Sequence, residues 1–312
     1  MTNGTDKKFL YEKGRYREIF LVDNGTNISN KQNLGGKVLK HKKIIKRIII
    51  IALVVALLWI FFDYENNHLQ LSSYTFKTDK VSKEFAIVQI SDFHNKVMDN
   101  KKITTIVKNQ KPDIITLTGD LVDANRTNIN VAINMTKELV NIAPVYYITG
   151  NHERAIKEEK YQQLEQGLEN IGVKVLVNNV VNLDNNICII GLDDKNIQSK
   201  DDTLNQLTKD LSDDKFKILL AHEPQEIDWY AQSGVDLVLS GHAHGGQIRI
   251  PFTNIGLVAP SQGLFPKYTA GKYESDDTTM FVSRGIGNSI LPLRVFNCPE
   301  IVKVTIKNNK TN

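Results

Sequence analysis

Apolar positions along the 312-residue chain form one long unbroken run and then, after a polar interval, short runs that alternate with amphipathic segments. The unbroken run covers residues 48–62. As a helix it would be about 22 Å long; counted from Ile44, with Lys46 and Arg47 snorkelling, it reaches about 28 Å, enough to cross a hydrocarbon core of roughly 30 Å. A buried core helix would show a polar face, which this run lacks. A cleaved signal peptide would need small residues after the run, whereas Phe62 is followed by Asp63, Tyr64, Glu65, Asn66 and Asn67. The pattern therefore predicts a single uncleaved transmembrane helix over 44–62. Lys37, Lys40, Lys42, Lys43, Lys46 and Arg47 precede it and Asp63 and Glu65 follow it, which places the N-terminus in the cytoplasm and the C-terminal part outside the cell membrane.

Residues 1–43 read as a basic tail without sustained periodicity, with a short amphipathic helix possible over 8–20. Residues 63–83 are polar and read as a linker that could hold an edge strand over 71–76. From residue 84 to 312 the pattern is that of one folded domain. Strands expected at 85–90, 114–118 and 145–149 alternate with helices expected at 101–109, 128–141 and 158–171, the signature of parallel strands with crossover helices. Shorter strands follow at 173–177, 180–184 and 187–191, the last two joined by Asn185-Asn186 in a hairpin. A helix at 204–211 and strands at 216–220 and 235–240 come next, and 248–306 mixes loops with closing strands at 279–283 and 301–306. The fold class is α/β.

Charge sharpens this division. The net charge of +4 is uneven: residues 1–47 hold 12 Lys/Arg against 4 Asp/Glu, leaving 27 against 31 for the rest. A mildly acidic domain lacks the clustered cations that a nucleic-acid groove needs, so no nucleic-acid partner is expected. Cys188 and Cys298 stand apart from each other and from every motif, so neither a thiolate metal site nor a disulfide framework is visible.

Each strong strand of the domain ends in residues that favour metals, and the carboxyl ends of strands are where ligands gather in an open α/β sheet. The first ends in Asp92 and His94, the second in Gly119-Asp120 and Asp123, the third in Gly150-Asn151-His152-Glu153. His222 follows 216–220, and His242 and His244 follow 235–240. In extended backbone, residues two apart project to one side, so His242 and His244 would reach one point. Any one of these residues has an ordinary reading as a cap, a turn residue or a core histidine. Their joint placement points to a metal site. Carboxylate, imidazole and amide ligands without thiolate suit Mn²⁺, Fe or Zn²⁺, and ligand type does not choose among them.

In order and spacing, Asp92-x-His94, Gly119-Asp120-x-x-Asp123, Gly150-Asn151-His152-Glu153, His222 and Gly241-His242-x-His244 resemble the calcineurin-like metallophosphoesterases. The resemblance implies two facing mixed β-sheets flanked by helices, a four-layer sandwich, here behind a transmembrane helix. It implies two divalent ions, one held by Asp92, His94 and His244, the other by Asn151, His222 and His242, with Asp120 between them. It also implies a catalytic His152 that contacts the scissile phosphate or protonates the leaving group. The stretches 245–251, 261–263 and 283–288 look like the membrane-associated bacterial branch, which is similar to transmembrane proteins with a metallophosphoesterase domain and to UDP-2,3-diacylglucosamine pyrophosphatases. Ala124 stands where protein phosphatases often carry an arginine, so a protein substrate is not expected. The expected activity is hydrolysis of a phosphodiester or pyrophosphate, in a lipid-linked or cell-envelope molecule. Arg249, Lys267 and Arg284 are expected to bind its phosphate. The competing readings are a membrane-tethered non-catalytic scaffold and a nuclease.

Overall fold

Runs of apolar residues without alternation, such as Ile187–Gly191, form strands only if both faces are covered, and that requirement organises the fold. The computed structural model describes residues 28–288 and 292–310; the expected tail over 1–27, including 8–20, lies outside them. The chain divides into two compact units, residues 1–57 and 58–312.

Going along the chain, helix α1 spans Ile28–Asn67 and strand β1 Gln70–Thr78. Then come β2 (Phe85–Ile90), α2 (Asn100–Asn109), β3 (Ile114–Thr118), α3 (Ile129–Leu139), β4 (Val145–Ile148), α4 (Asn151–Ala155), α5 (Glu158–Asn170) and β5 (Lys174–Val175). The second half holds β6 (Asn179–Asn182), β7 (Ile187–Gly191), α6 (Asp194–Ser199), α7 (Thr203–Thr208), β8 (Phe216–Leu220), α8 (Ile227–Gln232) and β9 (Leu237–Ser240). Last are the short β10 (Val258–Ala259) and β11 (Gly263–Leu264), then β12 (Gly271–Ser275), β13 (Thr278–Val282) and β14 (Glu300–Asn308).

One mixed sheet has the order β1-β14-β2-β3-β4-β5 and the other β12-β13-β9-β8-β7-β6. Residue alternation sorts each strand's side chains to two faces. Ile87, Ile148, Ile189, Leu220, Leu239, Phe281 and Val304 point into the space between the sheets. Val88, Ile115 and Tyr147 point the other way, against Ile103, Met135 and Leu164 of α2, α3 and α5. Ile190, Leu219 and Met280 pack on Ile197, Leu204 and Tyr230 of α6, α7 and α8. The result is the expected sandwich of two mixed sheets between helical layers.

Asn185 and Asn186 turn the β6–β7 hairpin at φ 63° and 60°, the left-handed pair that a tight two-residue turn needs. Both cysteines are buried free thiols.

Two expectations change. The helix extends beyond 44–62 at both ends, and among the described residues Lys40–Asn67 is the one stretch long and apolar enough to cross a membrane, with its large apolar side chains from Ile44 to Ile60 exposed. Residues 63–83 are not a free linker, although the edge strand expected over 71–76 is present as β1. Residues 63–67 continue α1, and β1 pairs in parallel with β14 over nine residues, Gln70 opposite Glu300 through Thr78 opposite Asn308. Tyr74 turns inward and stacks on Phe281, and Phe76 packs tilted against Phe216, with centroids 4.6 and 5.1 Å apart, which is why this polar-looking stretch is an edge strand.

Candidate metal centre

The carboxyl ends of β2, β3, β4, β8 and β9 converge, and each delivers its polar residues from a sharp turn just past the strand. Asp92, His94, Asp120, His242 and His244 all have positive φ, between 47° and 65°. Left-handed backbone is costly for such side chains and collects at functional sites. The expected extended alternation therefore does not aim these ligands. β9 ends at Ser240, and the turns after it send His242 and His244 into different clusters. Gly119, at φ 89°, lies so close to His222 that a Cβ there would sit 2.4 Å from its Nδ1.

The first cluster is Asp92, His94, Asp120 and His244, all buried. His94 Nε2 lies 3.1 Å from His244 Nε2 and 3.5 Å from Asp120 Oδ2, and His244 Nε2 lies 3.5 Å from Asp92 Oδ1. The second is Asp120, His222 and His242, with Asp120 Oδ2 3.2 Å from His222 Nε2. Asn151 joins it through Oδ1, 2.9 Å from His242 Nδ1. Ligand atoms each about 2.1 Å from one cation stand roughly 3.0 to 3.4 Å apart, close to the 2.9 to 3.5 Å separations here. A single oxygen, Asp120 Oδ2, thus belongs to both clusters.

Protonation fits cation binding. His222 Nδ1 donates to Thr118 O at 2.8 Å, which turns Nε2, a buried atom with no hydrogen-bond partner, toward Asp120 as the atom that would face a cation once its proton leaves. His242 Nε2 is 3.1 Å from Ser261 Oγ, so its Nδ1 is the atom facing the cluster. Burial pushes His94 down to about 4 and, with neighbouring His222, His242 down to about 3; burial and neighbouring His94 hold His244 well below the usual histidine range. All three are neutral ligands at pH 7. Burial opposes charge on His222 too, but Asp120, Asp92 and Asp194 outweigh it and raise its pKa well above the ordinary range. A carboxylate cluster that holds a proton in this way would exchange it for a metal cation. The residues present fit two metal ions, and the centre is a dimetal site of Asp and His ligands.

His152 stands beside the first cluster, its ring edge-on to His94 with centroids 4.5 Å apart. Its backbone N–H donates to Asp120 Oδ1 at 2.8 Å, and its Nδ1 accepts from Ala124 N–H at 2.9 Å. Nδ1 is therefore unprotonated and the ring proton sits on Nε2. Asp123 caps its own loop by accepting from Asn125 N and Arg126 N, both at 2.9 Å.

Further residues support the centre: Glu153 of the third motif, and Asp193, Asp194 and Asn297, which did not stand out in the sequence. Buried Glu153 accepts from Asp120 N, Val122 N and Gly150 N at 2.8 to 2.9 Å, tying the second ligand loop to the third. Asp193 accepts from Thr149 Oγ1 and from Arg154 Nε at 2.8 and 2.6 Å. Asp194, fully buried, accepts from Gln198 through Oδ2, while its Oδ1 has no partner. Asn297 Nδ2 donates to His244 O and Gln247 O and so fixes the last ligand turn.

The expected phosphate cations are engaged in different ways. Arg284 donates to Gln70 Oε1 at 2.7 Å and pairs with Glu300 at 3.1 Å. Arg249 donates to Gly245 O and Thr269 Oγ1, and Lys267 Nζ lies 4.6 Å from the centroid of the Tyr268 ring.

Comparison with known proteins agrees with this geometry. The family model for calcineurin-like phosphoesterases matches residues 85–246. An uncharacterized metallophosphoesterase of Aquifex aeolicus is 32% identical over 269 residues, 81% of this chain and 98% of the relative. One from Campylobacter jejuni is 32% identical over 295 residues, 89% of this chain and 75% of the relative. YkuE of Bacillus subtilis is 34% identical over 236 residues, 72% and 79%.

Proposed function

Because the chain belongs to the calcineurin-like phosphoesterase family and is a metal-dependent phosphoesterase, we propose that it hydrolyses a phosphodiester or pyrophosphate in a lipid-linked or cell-envelope molecule. The observation that carries the chemistry is Asp120 Oδ2, which stands between two imidazole clusters at 3.5 Å from His94 Nε2 and 3.2 Å from His222 Nε2. In this reading Asp92, His94 and His244 hold one ion, Asn151, His222 and His242 the other, and Asp120 both. Bound Mn²⁺, Fe or Zn²⁺ ions would polarise the phosphoryl oxygens and lower the pKa of a water.

The chain's own residues do the rest. Neutral His94, His242 and His244 offer lone pairs without a proton to displace at pH 7. His152, with Nδ1 occupied by Ala124 N–H, presents Nε2–H and donates a hydrogen bond to a phosphoryl or leaving-group oxygen. Losing that proton outright would leave an imidazolate, so stabilisation of developing charge is its principal role. Arg249 and Lys267 remain the cations assigned to substrate phosphate, and Arg284 serves through its contact with Glu300.

Support for a lipid-linked substrate comes from α1, which we read as a membrane anchor with the N-terminus cytoplasmic and the domain outside. The test compares the full chain with residues 58–312 on a lipid-linked phosphodiester in vesicles and on a soluble phosphodiester. The anchor should raise turnover of the vesicle substrate alone. Equal rates for the two proteins on both substrates would remove the case for a membrane substrate.

A further inference from the structure

Outside α1, every exposed large hydrophobic side chain of the described residues except Leu71 lies in three loops beside the metal centre. Val97 follows His94 by three residues and is 88% exposed. Phe252 (108%), Leu264 (76%) and Phe265 (66%) lie beyond His244, in the segment whose Ser261 meets His242. Leu293 (37%) and Phe296 (48%) complete the group. Hydrogen bonds tie the second loop to the third, and Lys96, next to Val97, ties the first to them through Asn66, which also accepts from Arg294 N. Arg249 N donates to Val295 O, Gln247 Nε2 to Leu293 O, and Phe265 N to Leu257 O.

The backbone argues that this exposure is not accidental. Phe252, Phe265 and Phe296 have φ of 64°, 52° and 51°. Glycine or asparagine would make these turns with less strain, and a phenylalanine in water gains nothing from folding. Exposed apolar groups on strained turns mark a surface that meets something apolar.

What it meets follows from the end of α1. The Phe296 ring packs edge-on against Phe61, with centroids 5.3 Å apart. Asn66 Oδ1 accepts from Arg294 N and Asn288 Nδ2, Lys96 Nζ donates to Asn66 O, and Glu65 Oε2 accepts from Asn297 N. Through Phe296 the rim therefore meets the last apolar turn of the helix, and through Arg294, Asn297 and Lys96 its loops are fixed to the helix's polar end. Resting on the reading of α1 as a membrane anchor, we propose that the rim of Val97, Phe252, Leu264, Phe265, Leu293 and Phe296 docks on the bilayer surface, so that the metal centre takes its phosphate substrate directly from the lipid interface. Aromatic side chains at the depth of a span's end are suited to that boundary.

The test uses the full chain in phosphatidylcholine–phosphatidylglycerol vesicles. Cysteines introduced singly as Phe252→Cys, Phe265→Cys, Val54→Cys and Asp213→Cys are labelled with an environment-sensitive fluorophore, the native cysteines being buried. Asp213 is exposed and precedes β8, at the end of the sheet remote from the ligands. Each variant is first checked for hydrolysis of a soluble phosphodiester, to show that it is folded. Labels at 252 and 265 should show blue-shifted, several-fold brighter emission that lipids brominated near the headgroup quench, while the label at 213 stays water-like. Water-like emission at 252 and 265 with lipid-quenched emission at 54 would overturn the docking and leave the anchor intact. Water-like emission at 54 would overturn the anchor and the docking with it. A blue shift at 252 that brominated lipid does not quench would show a protein neighbour, such as a second copy, and would also overturn the proposal.

Discussion

At the scale of single residues, the centre depends on which proton sits where. His152 is the clearest case. With Nδ1 accepting from Ala124 N–H it can only donate, so His152→Ala should keep the bound metal and lose about 10²- to 10⁴-fold in turnover. Metal analysis together with kinetics on a soluble phosphodiester checks this; wild-type turnover would show that His152 does not touch the reaction. Asp194 offers a test of burial. Desolvation pushes its carboxyl up to about 7 from an ordinary 3.8. A raised pKa means that the folded state binds the proton more tightly than the unfolded state. The corresponding stability is full below pH 3.8 and is lost as the pH rises towards 7. Metal-free wild type should lose on the order of 2 to 4 kcal/mol over that window relative to Asp194→Asn, measured by denaturant unfolding at several pH values. Parallel pH curves for the two proteins would contradict it.

Residue identity was legible in sequence only where chemistry repeats. Asp92, His94, Asp120, Asn151, His222, His242 and His244 all follow apolar strands, and the structure gathers them. Thr118 O and Ala124 N–H set the tautomers of His222 and His152, and the Ser261 hydroxyl orients His242, yet they are a carbonyl, an amide and a hydroxyl of the kind every loop contains. Glu153 stands in a legible motif, but its role was hidden because its partners are backbone groups, and Asp194 was hidden because its role depends on burial. The division of His242 and His244 between clusters was invisible to strand periodicity, since both lie past the strand in left-handed turns.

At the scale of elements, strands covered on both faces were the easiest to place. Ile114–Thr118, Ile187–Gly191 and Phe216–Leu220 fall where their apolar runs begin and end. An edge strand covered on one face is harder to see: β1 buries only alternate residues, and its sequence QLSSYTFKT carries two aromatic side chains among polar ones. The last turns of α1 were unreadable for another reason. Glu65 and Asn66 are held by Asn297 and Arg294, more than 220 residues away. These contacts separate two deletions. Removing residues 1–57 leaves unit 58–312 whole, whereas removing 1–83 takes away β1, the Tyr74 and Phe76 packing and the Glu65 acceptor of Asn297 N–H. Half-burial of two aromatic side chains alone contributes roughly 2 to 3 kcal/mol, against a total of about 5 to 15. The longer deletion should therefore unfold at a temperature lower by on the order of 10 °C or more, read by circular dichroism. Equal midpoints would show that β1 and the helix end are dispensable to the fold.

At the scale of the whole molecule, two sheets direct five strand ends to one place, and a carboxylate shared by two imidazole clusters is the outcome. The family relationship and the geometry agree on this point. The most direct measurement is elemental analysis of the purified full chain and its Asp120→Asn variant, paired with hydrolysis of a soluble phosphodiester. Two divalent ions per wild-type chain are expected, with the variant losing much of the metal and the activity together. A wild-type chain that turns over substrate after complete removal of metal, or an Asp120→Asn chain with full metal content and full activity, would contradict the dimetal centre.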